Sequence, residues 1–130
     1  MELTWSEAWS VGDAQLDAEH RRLVDLVNAI RGARSGAGCR DLDPFLHEVV
    51  SELVAYAEDH FRHEEARMTA AGFPDLERHR RNHLSFRSRV MALAAEAREP
   101  GPALEDFHAF LVAWLRHHVL EEDQAYRPYL

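Results

Sequence analysis

Apolar residues recur along this chain at helical spacing, and no segment alternates with the period of two expected of a strand. Leu16, Leu23, Leu26, Val27 and Ile30 share one face of a helix predicted from about Asp17 to Ala33. Leu46, Val49, Val50, Leu53, Val54, Tyr56 and Ala57 mark a second, opened by Asp43-Pro44 as cap and first-turn proline and closed by Ala71-Gly72-Phe73-Pro74. A third runs from Asp75 to about Arg98, where Glu99-Pro100-Gly101-Pro102 breaks it. A fourth continues to about Tyr126. Gly32 to Gly38 reads as a flexible loop, and residues 1–16 as an N-terminal arm carrying Trp5, Trp9 and a Gly12-Asp13 turn. Four helices joined by short loops predict an all-α fold, an up-down-up-down antiparallel four-helix bundle.

Composition narrows the function classes. The chain has 130 residues, 46% of them hydrophobic, which is enough to build a core. Its formal net charge is −8, from 23 acids against 15 bases, and no Lys/Arg stripe stands out. A nucleic-acid partner is not expected. Cys39 is the one cysteine, so no internal disulfide can form. The start lacks a basic segment followed by an apolar run, and no stretch approaches the roughly 20 apolar residues that span a bilayer. A cytoplasmic protein without a membrane span is the expectation.

The nine histidines change the picture. His60 and Glu64 stand four apart, as do His79 and His83, and positions four apart lie one turn above each other on one helix face. His118 precedes Asp123 on the fourth helix, and His20 stands on the first. Burying so many polar groups without partners would be costly, and metal coordination would satisfy them together. His47, His63, His108 and His117 are expected at the surface or packed behind the ligands, and Glu65, Glu121 and Glu122 on a solvated acidic face. The offset of five from His118 to Asp123 does not fit an ideal helix, where it spans about 140° around the axis. Either Asp123 leans in from the side or the helix is locally distorted.

These motifs resemble the hemerythrin family, in particular its single-domain bacterial members. The likeness runs through Trp5 and Gly12, Leu16-Asp17-Ala18-Glu19-His20, His60-Phe61 with Glu64-Glu65 and Met68, and Gly72-Phe73-Pro74. It continues through His79, His83, Trp114-Leu115-Arg116-His117-His118-Val119, Asp123 and Tyr126. The resemblance implies one hemerythrin-like domain over residues 1–130 that holds two non-heme iron ions joined by an oxo or hydroxo bridge. His79, His83 and His118 would ligate one iron, His20 and His60 the other, with Glu64 and Asp123 bridging. Phe61, Trp114, Leu115 and Val119 would line the oxygen pocket. Phe73 and Val119 depart from the family's commoner Tyr and Ile.

Each histidine supplies one bond, each bridging carboxylate two, and a single-atom bridge two. A pair of six-coordinate ions then keeps one open position, on the ion with two histidines, where a small ligand can bind. The function implied is reversible dioxygen binding for storage, transport or delivery, not catalysis. The alternatives are an oxygen or redox sensor and a peroxide- or nitric-oxide-handling enzyme, the latter needing a proton donor such as His63 or His117 turned inward. Dioxygen is the expected partner, together with an unidentified oxygen-consuming enzyme or signalling protein.

Overall fold

In the computed structural model, residues 3–35, 42–96 and 102–130 are described. Four long helical stretches carry the fold: α1 Ala14–Ser35, α2 Leu42–Ala71, α3 Leu76–Glu96 and α4 Pro102–His117. The last continues through a five-residue π turn, His118–Glu122, and a short helix, α5 Asp123–Tyr126. Each long helix packs on the next and α1 closes on α4, so the four surround one core, as the periodicity predicts. No strand occurs among the described residues.

Two boundaries differ from the sequence reading. Helix α1 starts at Ala14 rather than Asp17, because Asp13 caps it: its Oδ1 accepts the Leu16 N–H at 3.0 Å, and its carbonyl the Asp17 N–H at 2.9 Å. Asp17 instead clamps the arm, accepting the Ser10 hydroxyl at 2.6 Å and the Val11 N–H at 2.9 Å. Helix α1 also runs through Gly32 to Ser35, since a lone glycine weakens a helix without ending it. The rest of that predicted loop with Cys39, the break at 99–101 and the Asp43 side chain lie outside the described residues.

The C-terminus of α2 is closed by backbone chemistry. Phe73 N–H reaches Met68 O at 3.0 Å and Gly72 N–H reaches Thr69 O at 3.2 Å, the two bonds of a Schellman motif. That motif needs a left-handed residue after the helix, and Gly72 supplies it at φ 70°.

The apolar residues form two clusters of unequal size. The larger gathers Leu23, Leu53, Phe107 and Leu111 with many others, and the smaller holds Val11, Leu16, Met68, Phe73 and Tyr126. Helices α1 and α2 cross from one cluster to the other, with polar residues in between: Leu16, His20 and Leu23 on α1, and Ala57, His60, Glu64 and Met68 on α2. A polar layer is thereby sandwiched between two apolar ones. Gly72→Ala should cost about 1 kcal/mol, the usual penalty for forcing a side chain into the left-handed region. A fall in the urea midpoint at unchanged slope is the expected readout.

Candidate metal centre

All seven residues singled out in the sequence meet in this polar layer. His20, His60, Glu64, His118 and Asp123 form one buried group, and Glu64, His79, His83 and His118 an overlapping one. None is more than 3% exposed. The five imidazoles turn Nε2 toward the two carboxylates. Glu64 Oε1 lies 3.1 Å from His83 and His118 and 3.7 Å from His79. Its Oε2 lies 3.3 Å from His20 and 3.4 Å from His60. One carboxylate thus divides its oxygens between three histidines and two. Asp123 spans the same groups, with Oδ1 3.1 Å from His79, and Oδ2 3.0 Å from His20 and 3.2 Å from His118.

The π turn explains how Asp123 arrives. Its N–H bonds His118 O, a bond across five residues rather than four. The wider turn absorbs one extra residue and brings Asp123 back beneath His118, so the helix is distorted locally.

The donor set fits a cation. Neither oxygen of Asp123 makes a hydrogen bond, although three imidazoles approach it closely. Those N–H directions miss the oxygens, and a buried carboxylate left so is costly. Donors held about 2.1 Å from a shared ion at right angles sit roughly 3 Å apart, which matches the nitrogen–oxygen spacings here. Five imidazole nitrogens and two carboxylates at these spacings are a donor set that a metal cation satisfies.

Electrostatics point the same way. Burial alone would raise Glu64, yet the charges of His60 and His118 and the bonds around it hold its carboxyl well below the usual range. Burial lowers His20 and His79, but Asp123 and Glu64 outweigh it and raise each to about 10. His60 is raised against burial by Glu64 and Glu19. His118 is lowered because burial prevails over both carboxylates.

A surrounding set of side chains orients the ligand candidates. His60 Nδ1 donates to Glu19 Oε1 at 2.8 Å, and His83 Nδ1 to Glu65 Oε2 at 2.7 Å. Each bond leaves Nε2 as the inward atom, the carboxylate–histidine arrangement common behind metal sites. Tyr126 donates its hydroxyl to Glu64 Oε2 at 2.8 Å, and burial with the nearby carboxylates raises its phenol far above the usual value. Sequence reasoning assigned no role to Glu19 and Tyr126. An acid beside a histidine of a metal motif is the signal that could have found Glu19.

Three expectations are corrected. Glu65 is not part of a solvated face: it is tied to His83 and to Arg80, whose Nε lies 3.1 Å away. Glu122 is likewise half-buried and accepts a hydrogen bond from Asn82. His108 is 2% exposed, because it shares the inward stripe of Leu104, Phe107 and Leu111. His47 is exposed as expected. His63 is half-exposed and bonds Glu19 at 2.6 Å, and the exposed His117 pairs with Glu121 at 2.5 Å.

The apolar side is built on aromatic stacking. Phe61 lies nearly parallel to His83, centroids 3.8 Å apart, and Trp114 to His118 at 4.5 Å. Leu115 and Val119 are buried on the same face of α4 and its π turn as His118.

A bundle whose central layer is a buried histidine–carboxylate cluster defines a helical metal-binding protein. Comparison with known proteins names its kind. The family Hemerythrin HHE cation binding domain matches residues 11–130. The chain therefore belongs to the hemerythrin family. It is 29% identical to a bacteriohemerythrin of Stenotrophomonas maltophilia, over 95% of this chain and 78% of that one. It is 27% identical to a bacteriohemerythrin of Clostridium acetobutylicum, over 94% and 96%. Identity reaches 38% with a bacteriohemerythrin of Ralstonia nicotianae, over 74% of this chain and 61% of the relative. No described helix is long and apolar enough to cross a membrane.

Metal and protons compete for the same nitrogens, since a ligating imidazole must be neutral. With His20 and His79 protonated below about pH 10 in the metal-free protein, metal uptake at pH 8 should release protons. Titration of metal into weakly buffered apoprotein checks this, and uptake without acidification would contradict it.

Proposed function

We propose that this chain binds dioxygen reversibly at a pair of non-heme iron ions, for storage, transport or delivery. His79, His83 and His118 would hold one iron and His20 and His60 the other, with Glu64 and Asp123 serving both. Residues 1–130 act as one cytoplasmic domain. The observation that carries this reading is the division of Glu64, with one oxygen turned to three histidines and the other to two. Two ferrous ions would supply the electrons that dioxygen uptake requires.

The protein's own part is to position, to orient and to keep water out. Glu19 and Glu65 hold His60 and His83 with Nε2 inward. Tyr126 fixes the plane of the Glu64 carboxylate. Phe61, Trp114, Leu115 and Val119 present an apolar wall that favours a small apolar gas over water. A catalyst would need a proton donor at that wall, whereas His63 turns to Glu19 and His117 to Glu121. This favours binding over turnover.

Reduced protein exposed to air should gain a visible charge-transfer band that fades under argon. Direct conversion to a stable ferric spectrum, or no band, would overturn the reading. His60→Ala should lose much of its iron, because it removes a ligand and strands Glu64 and Glu19; normal iron content would refute the ligand assignment. Leu115→Ala should keep its iron but autoxidise faster as water enters, and an unchanged autoxidation rate would count against the apolar wall.

A further inference from the structure

A surface groove ends at the ligand cluster. It lies between the start of α3 and the π turn after α4, encloses about 200 Å³, and is lined by Asp75, Arg78, His79, Asn82, Glu121 and Glu122 among others. Of the seven proposed ligands, only His79 lines it. His79 is thus both the floor of the groove and an outer wall of the centre. It is 3% exposed, and its Nε2 makes no hydrogen bond although Asp123 Oδ1 lies 3.1 Å away.

His79 is also held less firmly than its neighbours. His60 and His83 are tied from behind by Glu19 and Glu65, and His83 and His118 are stacked on Phe61 and Trp114. His79 has neither kind of support among the described residues, and its ring meets His83, His118 and Tyr126 edge-on or tilted. It is the fourth residue of α3, and its N–H makes the 3.1 Å bond to Asp75 O at the very start of that helix. The first turn of a helix frays at a cost far below that of unfolding the whole domain. Fraying there swings His79 aside and joins the groove to the centre. Moving His60 or Glu64 instead means breaking the middle of the 30-residue α2.

The rim favours a cation. Asp75, Glu121 and Glu122 set three carboxylates against the one guanidinium of Arg78. Glu121 stands 2.5 Å from His117, so a carboxylate and an imidazole face the mouth together. Glu122 lies deeper, half-buried beside Asn82. A concave surface lined by one sign of charge raises the local concentration of the opposite ion. What gives this acidic rim a direction is the buried, unbonded imidazole at its floor. We propose that the groove is the entrance by which a divalent metal ion reaches the centre. The rim carboxylates gather the ion, and His79 turns out with the first turn of α3 to admit it, then closes behind it as a ligand. The inference rests on the metal reading of the cluster and not on the dioxygen reading.

The test times metal movement in both directions under argon. Reduced, iron-loaded protein is given a coloured ferrous chelator and release is followed; the stripped protein is then given cobalt(II), and the growth of its absorption bands and the final metal content are recorded. Asp75→Asn with Glu121→Gln should slow reloading several-fold at low ionic strength, and the difference should shrink in strong salt, with final metal content unchanged. Asparagine keeps the capping ability of position 75. Arg78→Gln should speed reloading. Glu52→Gln, which removes the same charge on the exposed face of α2, should leave the rate alone. In the stripped protein the His79 amide should exchange its hydrogen faster than those of His60 and Glu64. If stripped protein does not refold, the release arm decides: Pro74→Gly, which loosens the entry to α3, should speed iron release. Rates no more altered by the rim substitutions than by Glu52→Gln would overturn the entrance. A His79 amide as protected as that of Glu64, or release unaltered by Pro74→Gly, would overturn the part given to His79. Failure of the metal reading shows separately, as protein that holds neither iron nor cobalt, and it overturns the entrance with it.

Discussion

A carboxylate cannot be held at 0% exposure between two apolar layers unless positive charge is brought to it, and this bundle buries two, Glu64 and Asp123. Nearly every feature of the centre answers that demand. Five imidazoles aim Nε2 at the pair, and Tyr126 donates to Glu64. The helices supply these groups because the layer recurs at matching heights on α1, α2, α3 and the π turn after α4. The two apolar clusters on either side supply the burial energy that lets such a layer persist, and they exclude the water that would otherwise solvate it.

The centre is asymmetric in what stands behind it. Glu65, behind His83, is paired with the permanently charged Arg80. Glu19, behind His60, is shared instead with the half-exposed His63. The histidine-rich end is also braced by stacking, Phe61 on His83 and Trp114 on His118, whereas His20 and His60 meet each other edge to face at 4.5 Å. The stacked, charge-compensated end is the better fixed of the two.

The terminal region shows how local distortion serves a site. An ideal α-helix would turn Asp123 away from His118, and the π turn returns it at the expense of regular hydrogen bonding. The arm holds this region from outside. Ser10 O accepts from both Gln124 and Arg127, while the Ser10 hydroxyl bonds Asp17 on α1. First and last segments of the chain are thereby joined beside the centre.

Much of the site was legible because its signals are local. The i, i+4 pairs His60/Glu64 and His79/His83, and the 3.6-residue stripe through Leu16, Leu23 and Ile30, are properties of a single helix, so residue order by itself determined the helices and the polar candidates within them. What it could not determine depends on how one helix is rotated against another. Glu19 meets His60 across 41 residues and Glu65 meets His83 across 18, and no spacing within α1 or α2 encodes those meetings. The burial of His108 and the extra residue in the turn before Asp123 were likewise decided by packing. Each reflects the space and charge left by neighbouring helices, which only the assembled bundle specifies.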